Sequence, residues 1–310
     1  MTPLRKGVEE YLTLRRSLGF ELRLPGSMLR NFSAFLERKR APYITKALAL
    51  LWAQEPAHAQ PCQWANRLGI VRRFAQFYCT IDPRTEVPPL GLLPHRYRRK
   101  APHIYSLSEV RRLINATKKL ASPSGLRSST YATLLGLLAV TGMRISEALD
   151  LNRADIDWSL AVLSIRRTKF GKSRLIPLHA SSLSALKKYS RQRERIYSRP
   201  SSDSFFVSER GTRLQQCAAR WNFVMLSKQI GLRGPSRSHG HGPRLHDFRH
   251  RLAVSTLIDW YRAGVDVEQK LPVLATYLGH THWSDTYWYL SSVPELLCLA
   301  AARLERGGLS

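Results

Sequence analysis

The sequence predicts a mainly α-helical protein with a small β element, divided into two domains. Three observations carry that expectation. Apolar residues recur at helical spacing through most of the 310 residues. One pair of apolar strands flanks a Lys-Phe-Gly-Lys turn at residues 169–172. A proline-rich exit at 86–94 runs into HRYRRKAP at 95–102, a basic stretch without apolar periodicity. The domains are therefore set at 1–95 and 105–310, joined by a basic linker at 96–104.

In the first domain Leu4, Val8, Tyr11 and Leu12 define a helix that stops at Ser17-Leu18-Gly19, where glycine suits a helix end. Ser27 is placed as the cap of a second helix, with Met28, Leu29, Phe32, Phe35 and Leu36 along one side. Thr45 caps a third helix through Leu48, Leu51 and Trp52. Pro61 suits the first turn of a fourth, which carries Trp64, Leu68, Val71, Phe74 and Phe77. In the second domain Ser106 and Glu109 fit a capping box. The apolar run YATLLGLLAVTG follows as a buried helix ended by Gly142. Val162, Leu163 and Ile165, then Leu175, Ile176 and Leu178, form the hairpin. From Ser181 onward the chain is helical again, apart from a Gly/Ser/His loop at 231–243.

The charge balance narrows the function classes. With 49 Lys+Arg against 22 Asp+Glu the formal charge is +27, and an excess of this size repels itself unless it meets a polyanion. No apolar run of about 18 residues is present to span a bilayer, which favours nucleic acid over a membrane partner. The opening MTPLRKGVEE puts acids where a signal peptide needs an apolar core, so a cytoplasmic, nucleoid-associated protein is expected. Cys62, Cys79, Cys217 and Cys298 show no metal-site spacing and read as structural thiols. His239, His241, His246, His250, His280 and His282 crowd one late stretch without a carboxylate cluster, which suits phosphate and proton handling better than a metal.

Four motifs then fall in order: TGMRISEAL with Arg144, TKFGKSR with Lys169 and Lys172, RLHDFRH with His246 and Arg249, and YLGHTHWSDTYWYL with His280 and Tyr289. His246 and Arg249 lie one helical turn apart and share a face. Two planar guanidiniums, Arg144 and Arg249, can grip the non-bridging oxygens of a phosphodiester and stabilise the charge that builds there during attack. Tyr289, with an ordinary pKa of about 10, needs a base to become a nucleophile.

These motifs resemble those of tyrosine recombinases, the phage-integrase family, over roughly Thr141 to Tyr289. The helical first domain is similar to that family's core-binding domain in type and position only. The resemblance implies a two-domain DNA clamp, with a helical, SAM-like core-binding domain and a catalytic domain. It implies cleavage through a 3′-phosphotyrosine at Tyr289, with the bond energy conserved and neither metal nor nucleotide cofactor required. His246 is then base or proton relay, His280 a donor to the phosphate, and Lys169 the acid for the leaving 5′ oxygen, since the family's lysine matches the first position of K-x-G-K rather than Lys172. Glu147 is expected to orient the site, or to make a plain surface ion pair. Tyr287 is the alternative nucleophile. His250 is expected to face away from the site as a buried, hydrogen-bonded histidine. Lys172, Arg174, Arg72, Arg73, Arg98, Arg99 and Lys100 are expected DNA contacts.

The function expected is site-specific recombination or integration, as for a transposon or other mobile element, by strand exchange through a Holliday junction. The partners implied are double-stranded DNA and three further copies in a homo-tetramer on paired sites. The tail's apolar stripe, Leu296, Leu297, Leu299, Ala300 and Leu304, would either pack on its own domain or be exchanged with a neighbouring protomer. Two alternatives stay open: a type IB topoisomerase-like relaxing enzyme, and a catalytically inactive architectural DNA-binding protein.

Overall fold

The computed structural model describes residues 2–94, 101–166, 173–198, 202–234, 242–280, 286, 287, 289 and 293–307, with side chains to residue 303. The chain forms two compact units, residues 1–100 and 101–310.

The first unit is built from four helices, α1 (Pro3–Ser17), α2 (Arg23–Arg38), α3 (Lys46–Gln54) and α4 (Pro61–Tyr78). Their apolar faces meet in a core where Val8, Leu12, Phe32, Trp52, Val71 and Phe74 are all fully buried. Thr45 accepts from the Leu48 backbone N–H, as a cap should. The cap expected at Ser27 is not formed. Helix α2 begins four residues earlier, after Leu22 in left-handed conformation, and Ser27 lies inside it. Pro25 explains the difference: in a first turn its missing N–H leaves no helical bond unmade, so a proline there does not delay the start.

The second unit carries α5 (Leu107–Ala116), α6 (Leu126–Thr141), α7 (Ile145–Asp150), β1 (Ile156–Asp157), β2 (Val162–Ile165), β3 (Arg174–Pro177), α8 (Ala180–Ile196), α9 (Gln216–Gln229), α10 (Asp247–Arg262), α11 (Val267–Leu278) and α12 (Pro294–Gly307). Ser106 and Glu109 form the expected reciprocal cap on α5. The hairpin pairs antiparallel with Ile165 opposite Arg174 and Leu163 opposite Ile176, and β1 adds an edge strand through Ile156 and Leu163. At two residues β1 is too short to show an alternating pattern in sequence. Its Asp157 carboxylate accepts from the Ser159 and Leu160 N–H groups and turns the chain into β2.

One core joins α5, α6, α8, α9 and the sheet around Leu113, Leu138, Leu163, Ile176 and Phe205. A second joins Ala253, Val254 and Leu257 of α10, Leu271, Leu274 and Leu278 of α11, Tyr289, and Leu296 of α12. The tail thus packs in cis: Leu296 is fully buried, Arg262 pairs with Glu295 at 2.8 Å, and Arg303 donates to the Val265 carbonyl at 2.6 Å. Of the two arrangements left open for the tail, the single chain adopts packing on its own domain, with Leu296 in the core shared by α10 and α11. Cys217 and Cys298 are exposed, unlike the structural thiols expected of them. Among the described residues no helix is long and apolar enough to cross a membrane.

Gly142 ends α6 with φ +58°, and a Cβ there would lie 2.6 Å from the Leu252 side chain. Gly142→Ala therefore combines left-handed backbone strain with a clash against α10, and should lower stability by at least about 1–2 kcal/mol. Urea unfolding of the full chain checks this; an unchanged midpoint would show that α6 and α10 are not held at this distance.

Candidate active site

Arg144 is the N-cap residue of the short helix α7, in extended conformation immediately after the Gly142 turn. Three positions on, Glu147 reaches back and accepts the Arg144 backbone N–H at 2.8 Å. The same carboxylate accepts from Arg144 Nη1 at 2.8 Å and from Arg174 Nη1 and Nη2 at 3.1 and 2.8 Å. A carboxylate offers about four acceptor positions, and all of them are taken. Burial alone would raise the Glu147 pKa, but the hydrogen bonds and charge of Arg174, then those of Arg144, outweigh it and hold the group ionised below the usual carboxylate range. Glu147 is thus a buried orienting group; the alternative of a plain surface ion pair is excluded by its 5% side-chain exposure.

The C-terminal end of α11 is the second anchor. Gly279, at φ +67°, closes a Schellman turn in which the Gly279 N–H donates to the Thr276 carbonyl and the His280 N–H to the Ala275 carbonyl, both at 2.9 Å. The helix then leaves carbonyls without helical donors, and three arginines supply them. Arg174 Nε donates to Tyr277 at 2.8 Å, Arg249 Nη2 to Leu278, and Arg144 Nη2 to Gly279 at 3.0 Å. A side chain at Gly279 would meet Arg174 at 2.8 Å, so glycine is required for close approach as well as for the turn. The negative end of the helix dipole favours cations here.

Arg249 on α10 is 1% exposed; its Nη1 also donates to the Gly142 carbonyl at 3.1 Å, and burial pushes its pKa down to about 10. His246 precedes the same helix. The start of α10 is clipped by Asp247, which accepts from the Arg244 backbone N–H and guanidinium at 2.8–3.1 Å, while Tyr105 stacks on Phe248 at 4.5 Å. His280 is held through Nδ1 by Thr286 Oγ at 2.7 Å. The Tyr289 ring lies 6.1 Å from that of His280 and 5.3 Å from that of His250, which in turn packs edge-on to His246 at 4.8 Å. Tyr289 is buried with 2% exposure, whereas Tyr287 is 47% exposed.

The structure therefore brings Arg144, His246, Arg249, His280, Tyr289 and Glu147 together around the end of α11. Lys169 and Lys172, like Arg98, Arg99 and Lys100, lie outside the described residues, as do His239, His241 and His282. Arg73 is exposed on α4 and Arg72 half-buried. Two expectations change. Arg174, expected to contact DNA, turns inward: its side chain is 10% exposed and its guanidinium donates to Glu147 and the Tyr277 carbonyl. His250 faces the site rather than away from it, because it follows His246 by four residues and so shares its face. That i,i+4 spacing was visible in RLHDFRH; the Arg174–Glu147 pair, 27 residues apart, left no local signal. Among the described residues no group of three or more His, Cys, Asp or Glu is placed to hold a metal ion.

Burial first, and then the cationic surroundings, keep the histidines neutral. Burial, then the Arg249 charge, lower His246 to about 4. Burial, then His246 and Arg244, lower His250 to about 3. Burial, then Arg249 and Arg144, lower His280 to about 3. His246 keeps an exposed outer edge, so for this ring the neighbouring charge is the effect that survives solvent access. All three folded values lie below the ordinary value of about 6.5, so the unfolded chain binds more protons in between. Their contribution to stability is present above about pH 6.5 and lost as pH falls toward 4 and 3, and Glu147 adds to the loss in the carboxylate range. In the DNA-free protein the ring-proton shifts of these histidines should stay flat from pH 8 to 6 by NMR. The urea midpoint should fall between pH 7 and 4.5, and titration near pH 6.5 would contradict the geometry.

Comparison with known proteins identifies the family and the fold. Residues 105–295 match the family model described as the phage integrase family. The putative integrase/recombinase y4rB of Sinorhizobium fredii (strain NBRC 101917 / NGR234) is 49% identical over 99% of this chain and 98% of its own length. Tyrosine recombinase XerC of Roseiflexus sp. (strain RS-1) is 30% identical over 73% of this chain and 66% of its own. Among solved structures, the Tn1549 transposon integrase in complex with transposon right end DNA superposes with a TM-score of 0.65 at 15% identity, covering 99% of both chains. A lambda integrase tetramer bound to a Holliday junction gives 0.59 at 18% identity over 91% of this chain and 76% of the other. With the family model spanning more than half of its length, and a relative this similar along nearly all of it, the chain belongs to the phage integrase family, the tyrosine recombinases.

Proposed function

We propose that this protein is a site-specific DNA recombinase that cleaves and rejoins DNA through a 3′-phosphotyrosine formed on Tyr289. The observation that carries the reading is the convergence, from three separate segments, of two arginines, two histidines and a tyrosine on the end of α11.

In this reading the scissile phosphate is gripped by Arg144, which keeps 28% side-chain exposure, with Arg249 fixed behind it. The Tyr289 oxygen forms a bond to phosphorus as the bond to the 5′ oxygen breaks. The phenolic proton passes to His246, whose neutral state lets it accept, with His250 between the two rings. If the Thr286 hydroxyl donates to His280 Nδ1, His280 keeps a proton on Nε2 for a non-bridging oxygen. The departing 5′ oxygen takes a proton from Lys169, a role carried by the family motif alone. Rejoining reverses each transfer, so no external energy source enters.

Double-stranded DNA is the partner, and the excess of positive charge is its electrostatic footprint. Four copies on paired sites would exchange strands through a Holliday junction, with the α12 contacts made here in cis taken over by a neighbour. Residues 1–95 serve as the core-binding domain, 96–104 as the linker and 105–310 as the catalytic domain, acting at the nucleoid. The names of the relatives, a putative integrase and a transposon integrase, favour a mobile element as the source of the sites.

Suicide-substrate trapping tests this. Nicked duplexes tiled across the DNA flanking the chain's own reading frame are incubated, without magnesium, with wild-type, Tyr289→Phe and Tyr287→Phe protein. An SDS-resistant adduct on the 3′ side is expected from wild type and Tyr287→Phe, and none from Tyr289→Phe. An adduct surviving in Tyr289→Phe would reject the nucleophile; tight binding without any adduct would favour an architectural protein.

A further inference from the structure

We infer that Arg174 is a positioning residue for cleavage: by neutralising Glu147 it leaves the positive charge of Arg144 free for the scissile phosphate. The inference rests on the recombinase reading and adds to it a third arginine with a different task.

The argument starts from the carboxylate. Glu147 is needed to hold Arg144, since it takes both the backbone N–H and Nη1 of that residue at 2.8 Å. Unopposed, the same carboxylate would cancel the charge it holds. Arg174 approaches from β3 and takes one hydrogen bond at each Glu147 oxygen, at 3.1 and 2.8 Å, a two-pronged pairing that places a full cation against a 5%-exposed anion. Planar guanidinium geometry suits that pairing, and low exposure keeps it from being screened. A third Arg174 donor, Nε, goes to the Tyr277 carbonyl at 2.8 Å, which anchors the group away from solvent.

Counting charges shows the consequence. Among the described residues, Arg144, Arg174 and Arg249 against Glu147 leave two net positive charges, with His246 and His280 neutral before attack. A phosphodiester carries one negative charge, and a second develops on the non-bridging oxygens as the tyrosine oxygen adds. As the phenolic proton is carried off to His246, the charge on the phosphate oxygens themselves grows from one to two, and fixed guanidinium charge beside those oxygens favours the attacked state over the resting one, which is the condition for lowering a barrier. Without Arg174 one net charge remains, and the match to the attacked state is lost while Arg144 itself stays in place. Arg174 also heads the strand leaving the hairpin, opposite Ile165, so its anchoring to Glu147 and α11 ties the root of that hairpin to the phosphate site.

The test separates charge from scaffolding. Cleavage by wild type, Arg174→Met and Arg174→Lys is measured on a nicked duplex that wild type cleaves, and on the same duplex with a methylphosphonate at the scissile position. Replacing one non-bridging oxygen by methyl removes one negative charge from both the resting and the attacked state. Arg174→Met should lose roughly tenfold to a hundredfold on the phosphodiester. On the methylphosphonate it should lie within about threefold of wild type, since one net charge now suffices. Arg174→Lys keeps the cation, and should retain most of the phosphodiester rate even with a lowered melting temperature. Equal losses on the two substrates, or no loss on either, would overturn the inference. If Arg174→Met shows no cooperative unfolding transition, the folded lysine variant decides: an equal loss on both substrates overturns it, and a rate near wild type supports it. Failure of wild type to form any adduct would instead reject the recombinase reading itself.

Discussion

The site depends on one saturated carboxylate. Among the described residues Glu147 is the acid that pairs with the guanidiniums at the end of α11, and each of its acceptor positions is occupied. An ionised carboxylate buried without partners would cost several kcal/mol, and so would buried arginines without an acid. The pairing removes both costs while fixing the relative position of α7, which carries Arg144, and β3, which carries Arg174. Because each partner is held by more than one hydrogen bond, neither guanidinium can rotate without breaking several contacts together.

The carbonyl end of α11 completes what a single acid cannot. Three successive carbonyls, of Tyr277, Leu278 and Gly279, each receive a different arginine. Carbonyls satisfy donors and supply partial negative charge without cancelling a full cation. That distinction lets the cluster be densely hydrogen-bonded and still carry an uncompensated positive charge. The depressed histidine pKa values follow first from burial and then from the same field: rings that would be half-charged near pH 6.5 in water are kept neutral here. Packing then delivers the tyrosine, since Tyr289 is buried in the core shared by α10, α11 and α12, next to His250 and His280.

Much of this was legible in sequence where the determinant is local. Helical periodicity, the Ser106–Glu109 cap and the Gly142 stop are each set by residues within a turn of one another, and all are found in the structure. The motif residues Arg144, His246, Arg249, His280 and Tyr289 could be named from spacing and resemblance, although only the fold brings them together. Features decided by partners distant in sequence were not legible. Arg174 reads as one more basic residue in a basic chain until Glu147 is seen 27 positions away. Ser27 was a plausible cap that lost to an earlier start at Arg23, which Pro25 tolerates because a proline in a first turn leaves no helical bond unmade.

The global charge and the local site follow one logic at two scales. An excess of +27 would be a liability for compactness, yet most of it sits on exposed side chains where water and salt screen it. Inside the site that screening is absent, so each charge must be assigned a partner or left deliberately open. Arg249 is satisfied by carbonyls and Arg174 by Glu147. Arg144 shares Glu147 with Arg174 and retains the greatest exposure of the pair, 28% against 10%. Of the three cations, Arg144 is thus the most exposed, and an incoming phosphate would meet it first. Selectivity for the attacked phosphate then arises from how the protein divides one carboxylate between two arginines, and no additional charged group has to move for it to act.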